Sequence, residues 1–200
     1  MEEPLLLQQR DDRGVVTLTL NRPQAFNALS EAMLAALGEA VDTLANDELI
    51  RAVVLRASGK AFCAARFAVS GINVGLFCAT PGVALSRNVP RKAAFEMLVT
   101  GEFVSAEEAR VLGLVNRVAA PEALDDEVEA LVARIVAKPG VAVAMGKALF
   151  YRQIEVGIES AYADAGATMA CNMMDPSALE GVAAFIEKRP PSWVAAQGAR

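Results

Sequence analysis

Histidine is absent from all 200 residues, and that one absence removes more chemistry than any other. No Ser-His or Cys-His nucleophile can be assembled and the commonest zinc ligand is gone, so acid/base work falls to carboxylates, lysine, tyrosine or the main chain. Cysteine is scarce as well. Cys63, Cys78 and Cys171 are an odd number without metal or redox spacing, which suggests buried free thiols in a reducing compartment and an expected cytoplasmic location. No metal site is expected. Basic runs are lacking: 19 Lys and Arg alternate with 24 Asp and Glu for a net charge of -5, so nothing neutralises a nucleic-acid backbone. Apolar stretches such as 141–145 are short and interrupted, and Met1-Glu2-Glu3 is acidic where a secretory or mitochondrial leader would be basic. A protein without membrane attachment or nucleic-acid partner is expected.

What is present is apolar. With 54% hydrophobic and 22% charged residues, the chain can close a core as one domain or as a domain with a helical appendage. Val16, Leu18 and Leu20 alternate with Thr17 and Thr19, the period of a strand with one covered face, and Asn21-Arg22-Pro23 ends it in a turn. Ser30 can cap a helix whose apolar residues Met33, Leu34, Leu37, Val41 and Leu44 form one stripe for burial, and a strand follows at 52–55. Strand, loop, helix, strand is a βαβ opening, with a right-handed crossover expected and ligands expected at the strands' carboxyl edge.

The second half reads as helix. Residues 92–99 are periodic and stop at Gly101, Ser105 and Glu108 form a capping box, and Gly113 closes that helix. A short strand is expected at 115–118. Leu124, Val128, Leu131 and Ile135 mark an amphipathic helix, two more are expected over 141–154 and 158–173, and Asp175-Pro176 starts the last.

Several separated segments resemble the crotonase (enoyl-CoA hydratase/isomerase) family, enoyl-CoA hydratase domain-containing type, and occur in that family's order. Val15 through Leu29 is similar to its L-N-R-P-x-x-x-N-A-L signature, and Gly59 through Ala64 to its G-x-x-F-x-A-G stretch. Glu96 through Gly101, Ser105 through Ala109 and Gly113 through Asn116 follow, and Glu180 through Arg189 resembles the carboxyl-terminal E-G-x-x-A-F-x-E-K-R. The resemblance implies an α/β fold, a crotonase-like stacked ββα superhelix with a C-terminal helical trimerisation region. The core would occupy residues 1–118 and the helical region 119–200. It also implies an acyl-CoA thioester as ligand, a homotrimer or hexamer, and a thioester oxygen held by two main-chain N–H groups. Coenzyme A would enter as part of the substrate, with no separate cofactor.

The family's pattern is interrupted after Phe62-Cys63-Ala64. The resemblance leads to a Gly-x-Asp there, with the residue after its Gly supplying one oxyanion N–H, but Ala65-Arg66-Phe67 stands instead. Residues 65–75 resemble a later stretch, A-x-F-x-x-P-E-x-x-x-G, so several dozen positions are skipped, and with them both oxyanion donors and one of two hydratase glutamates. Either those residues stand in the protein and the numbering closes over them, or the chain is shortened; the first is preferred, because excising central strands would uncover apolar surface. The second glutamate's position is Gly71, and glycine cannot move a proton.

No catalytic side chain is therefore assigned. Gln24, Ala25 and Phe26 lie in the loop that the family runs alongside coenzyme A, with an ordinary βα loop as the alternative. Ala64 would touch ligand through its main chain, unless it is only a small packed residue. Pro81-Gly82 corresponds to a helix start that the family places beside the acyl pocket, where a glycine would permit close ligand approach, with a simple helix start as the alternative. Phe185 reads more readily as core, though the family places its equivalent beside the adenine. Lys188 would reach the coenzyme's phosphates, or else be a solvated charge at a helix end. The expected function is acyl-CoA handling, as an enoyl-CoA hydratase/isomerase of fatty-acid metabolism. The alternative is a non-catalytic acyl-CoA-binding homologue.

Overall fold

The protein is described by a computed structural model over residues 3–59 and 66–195. Three strands, β1 (Leu6–Arg10), β2 (Val15–Leu20) and β3 (Ala52–Ala57), form a sheet with β2 in the middle. β1 carries no alternation and is not legible as a strand by itself; pairing makes it one. Asn21 N–H donates to the Leu5 carbonyl at 2.8 Å and Asp11 N–H to that of Val15 at 3.0 Å, an antiparallel pairing across a tight turn. Arg51 N–H reaches the Gly14 carbonyl and Ser58 N–H that of Leu20, both at 2.8 Å, so β2 and β3 run in the same direction. Helix α1 (Glu31–Ala45) makes the connection, completing the βαβ unit. Val16, Leu18 and Leu20 are buried as the alternation requires.

Ser30 does cap α1, its hydroxyl accepting the Met33 N–H at 3.3 Å. The buried stripe differs from the expected one. Met33, Ala40 and Leu44 are buried with Leu37 half-buried, whereas Leu34 and Val41 are exposed. The core takes the narrower line of the two that a helical period allows, and small Ala40 marks the line of closest approach.

The chain divides into two compact units: 1–9, 17–43 and 55–127, and 10–16, 44–54 and 128–200. In the first, β4 (Arg66–Phe67) precedes α2 (Ala79–Asn88), α3 (Arg91–Thr100), β5 (Val104–Ser105) and α4 (Ala106–Val111). β4 and β5 pair antiparallel, Arg66 opposite Ser105 and Phe67 opposite Val104. Pro90 separates α2 from α3, and Leu85, Val89, Ala94, Met97 and Leu98 pack into one cluster at their junction. The Ser105–Glu108 capping box is formed, and the two hydrogen bonds from Ser105 hold the Glu108 carboxyl below its usual range. The strand expected at 115–118 is irregular chain instead, since a strand needs a partner and β5 has paired with β4.

The second unit holds most of the helices: α5 (Leu124–Val136), whose residues from 128 on belong to it, α6 (Gly140–Gln153), α7 (Ile158–Met173), α8 (Pro176–Ile186) and α9 (Ser192–Ala195). On α5 the buried line is Val132 and Val136 with Val128 packed alongside, against Val15, Ala52 and Val54; Leu124 and Leu131 are exposed. Arg13 binds Glu129 on this helix, and the Arg51 guanidinium donates to the carbonyls of Val136 (3.2 Å) and Lys138 (2.5 Å), satisfying acceptors that a helix end leaves open. α6 and α7 run antiparallel, tied by a bidentate pair from Arg152 to Asp164 at 2.6 and 2.8 Å. Neither helix carries a buried residue. Cys171 on α7 is accordingly exposed, against the expectation of a buried thiol, and Cys78 is half-buried. Among the described residues no helix is long and apolar enough to cross a membrane.

The two lines on α1 predict unequal costs. Met33→Ala, at a position with 0% exposure, is expected to cost about 3 kcal/mol. Leu34→Ala, at 53% exposure, should cost less than about 1 kcal/mol. Urea midpoints of the two variants measure the difference, and equal losses would place both lines in the core.

Candidate functional site

The loop that leaves β2 is fastened by one buried amide. Asn27, 5% exposed, accepts from the Arg22 N–H at 2.8 Å through Oδ1, donates through Nδ2 to the Ser58 carbonyl at 2.8 Å, and donates its own N–H to the Arg22 carbonyl at 2.9 Å. Loop and strand end are thereby joined. Gly59 adds to this: at φ 77°, a Cβ there would lie 2.8 Å from that of Pro23, so only glycine lets the two segments meet. Between these ties, Pro23–Ala25 forms a 3-10 turn, and Phe26 and Asn27 take left-handed conformations at φ 50° and 55°. Such conformations cost roughly 1–2 kcal/mol for residues with a Cβ, and the Asn27 bonds hold them. The result is a rigid turn with Gln24 exposed and Phe26 78% exposed at the carboxyl end of β2.

Gly71 lies in a 3-10 segment, Ser70–Val74, and its surroundings leave no room for a side chain. A Cβ there would come within 2.5 Å of Cys78 Sγ and 2.8 Å of the Leu76 carbonyl oxygen. A carboxylate at this point is barred by packing as well as by sequence. Gly82, buried in the first turns of α2, makes its close approach to Leu98 of α3, whose Cδ1 would stand 3.3 Å from an added Cβ. That face is filled by protein. Ala64, Cys63 and the 64/65 junction lie outside the described residues.

In the second unit, Phe185 and Lys188 share the end of α8. Phe185 is 85% exposed, which overturns its reading as a core residue: the buried position on this turn is Ala184. Lys188 is exposed and left-handed at φ 54°. Beside it Arg189 donates to Glu180 at 2.6 and 2.9 Å and to Glu187 at 2.6 Å. These bonds from Arg189, with the Ser192 N–H, pull the Glu180 carboxyl down to about 2.

A cleft of about 490 Å³ opens between α3 and α4, lined by Ala93, Met97, Phe103 and Val111 with Glu96 and Glu102. None of the residues expected at the site lines it. Among the described residues, no group of three potential ligands could hold a metal ion. Sequence reasoning passed over Asn27 and Glu180, although both stand in the quoted motifs. Their signal was a polar residue at a fixed offset from a turn or helix end, which becomes meaningful only when burial and partners are seen.

A βαβ opening with a braced loop at its strand end, followed by a helical half with an exposed aromatic and lysine, defines an α/β scaffold built to present loops at a sheet edge. Two family models, both described as Enoyl-CoA hydratase/isomerase, match residues 15–65 and 64–196. The chain belongs to the crotonase (enoyl-CoA hydratase/isomerase) family. It is 31% identical to rat enoyl-CoA hydratase domain-containing protein 3, mitochondrial, across 96% of this chain and 85% of that one. A solved enoyl-CoA hydratase of Mycobacterium smegmatis superposes with a TM-score of 0.93 at 63% identity, covering 96% of this chain and 99% of that one. Human enoyl Coenzyme A hydratase domain-containing protein 3 gives 0.89 at 28% identity, covering 95% and 100%. The crotonase fold is thus established.

The same comparisons bear on the interrupted pattern. The rat alignment spans 255 positions, while 96% of 200 residues is 192, so about 63 positions of that protein have no counterpart here. The two family models meet at 64/65, where the sequence pattern breaks. The unmatched positions accord with both explanations of the break, residues hidden by the numbering and a shortened chain, and the 64/65 junction whose geometry would separate them lies outside the described residues.

Two outcomes follow from these ties. Asn27→Ala should destabilise by about 2–3 kcal/mol, because two side-chain hydrogen bonds are lost and the part-buried Ser58 carbonyl loses the amide donor; urea denaturation measures it. Glu180, with an ordinary value of 4.5 and a folded value of about 2, contributes stability that is complete above its ordinary value and drains away as pH falls between the two. The stability difference between wild type and Glu180→Gln should therefore shrink steadily as urea midpoints are taken from about pH 6 to about pH 3.

Proposed function

We propose that this protein handles an acyl-coenzyme A thioester and serves the hydratase/isomerase chemistry of its family in fatty-acid metabolism. The observation that carries the reading is the loop after β2: Asn27 holds Gln24, Ala25 and Phe26 in a rigid, exposed turn at a strand's carboxyl edge, where α/β folds collect ligands. In this reading the main chain of the turn contacts coenzyme A in the first unit; in the second unit, taken by itself, the exposed Lys188 meets coenzyme phosphate and Phe185 an adenine. A rigid turn limits the entropy lost on binding. No cofactor besides the coenzyme portion of the substrate takes part. The reaction in the family depends on two main-chain N–H groups aimed at the thioester oxygen, since developing negative charge is stabilised most by fixed donors in a dry site.

A second reading is favoured by a specific observation. Gly71 and the space around it leave no place for a proton-transferring carboxylate, and the resemblance to the family would put its oxyanion donors among positions that this chain does not share. Binding of the thioester without turnover is the function that remains if no other group replaces them.

For assembly, we propose a homotrimer, alone or paired into a hexamer. Support comes from α6 and α7, which bury no residue and present Phe150, Tyr151, Tyr162 and Met169 to solvent, an apolar surface of the kind that subunits cover. The half-buried Cys78 and exposed Cys171, both free thiols, accord with a reducing cytoplasm.

Crotonyl-CoA separates the readings. Loss of its conjugated thioester absorbance on addition of the pure protein is the result expected of a hydratase, with calorimetric binding of the ester in the micromolar range as the accompanying observation. Binding without absorbance change selects the second reading, and absence of both sinks the two together. Sedimentation should give a particle of three, or twice three, times the 21.1 kDa chain mass.

A further inference from the structure

The end of α8 is braced more heavily than a solvated helix terminus requires. Lys188 is left-handed, and the chain is fastened on both sides of it. Its own N–H donates to the Phe185 carbonyl at 3.3 Å, and the Arg189 N–H reaches back to the Ala184 carbonyl at 3.0 Å. The Arg189 side chain then reaches back to the middle of α8, binding both oxygens of Glu180 at 2.6 and 2.9 Å, and Glu180 also accepts the Ser192 N–H at 2.8 Å. Trp193 closes the far side over Gly181, where a Cβ would meet its Cη2 at 3.1 Å. The Arg189 charge is matched by Glu180 and Glu187, whereas Lys188 makes no ion pair among the described residues.

We propose that the Glu180–Arg189 pair is a positioning latch that holds the left-handed turn at Lys188, presenting its ammonium beside the exposed Phe185 ring for the phosphate groups of coenzyme A. This rests on the reading of Lys188 as a phosphate contact. Lysine is a flexible point charge, and fixing the main chain at its root confines the volume its ammonium can reach. The latch also sets that cation against a helix carboxyl end, whose partial negative charge would otherwise repel a phosphate. Glu180 and Arg189 act through Lys188 and touch no ligand themselves.

A double-mutant cycle in coenzyme A binding, measured by calorimetry on the full chain, tests the latch. Lys188→Ala should weaken binding about tenfold; Glu180→Gln should weaken it at least about threefold with Lys188 present and leave it unchanged in the Lys188→Ala background. Arg189→Lys, which keeps the charge and loses the fork, should behave as Glu180→Gln does. A loss of equal size in both backgrounds would show a merely structural role and overturn the latch while leaving Lys188 as a phosphate contact. No loss from Lys188→Ala would remove the phosphate reading and the latch with it. Amide exchange reads the brace without any coenzyme: exchange at Lys188 and Arg189 should quicken at least about fivefold in Glu180→Gln, with α5 unaffected, and unchanged exchange overturns the proposal.

Discussion

The buried side-chain amide of Asn27 is the constraint on which the turn at the carboxyl end of β2 depends. Its carboxamide offers one acceptor and two donors in a plane, and the structure uses both ends, one on the Arg22 N–H and one on the Ser58 carbonyl. A main chain that turns through two successive left-handed residues would otherwise relax. Because the amide joins the loop after β2 to the end of β3, the turn inherits the rigidity of the sheet. An aspartate in its place would offer acceptors only, and an alanine neither.

The chemistry of this crotonase chain is shaped by what its packing refuses. At Gly71 the Cys78 sulfur and the Leu76 carbonyl stand where the first carbon of a side chain would go, so the segment is built around glycine. At Gly82 the space is given to Leu98, and two helices approach each other where a ligand was expected. With about 63 positions of the rat relative unmatched, the scaffold keeps the family's two flanks while the intervening stretch has no counterpart here. Binding and turnover make different demands on such a chain: the first needs rigid exposed loops, the second needs charges aimed at a reacting atom.

The helical half follows another logic. α5 buries Val132 and Val136 against strand residues, but α6 and α7 pack chiefly on each other and expose aromatic and methionine side chains. An amphipathic period alone does not say which apolar line a helix buries. On α1 the choice fell on Met33, Ala40 and Leu44, leaving Leu34 and Val41 exposed, and on α5 on Val128, Val132 and Val136, leaving Leu124 and Leu131 exposed. The decision belongs to the partner surface, because close packing rewards fit more than bulk.

Local signals in the sequence determined the helices, their capping residues and the alternating strand β2. Ser105 with Glu108 and Asp175 with Pro176 act through bonds that span only a few residues, so no distant partner is needed to read them. The family motifs belong to the same class, since they record residue types at short spacing. Only the tertiary structure decided that Leu6–Arg10 is a strand, that 115–118 is not, that Phe185 is exposed, and that Glu180 grips Arg189 nine residues on. Each of these depends on a partner whose distance and burial no spacing rule contains, and pairing and packing energies are properties of the partner as much as of the residue.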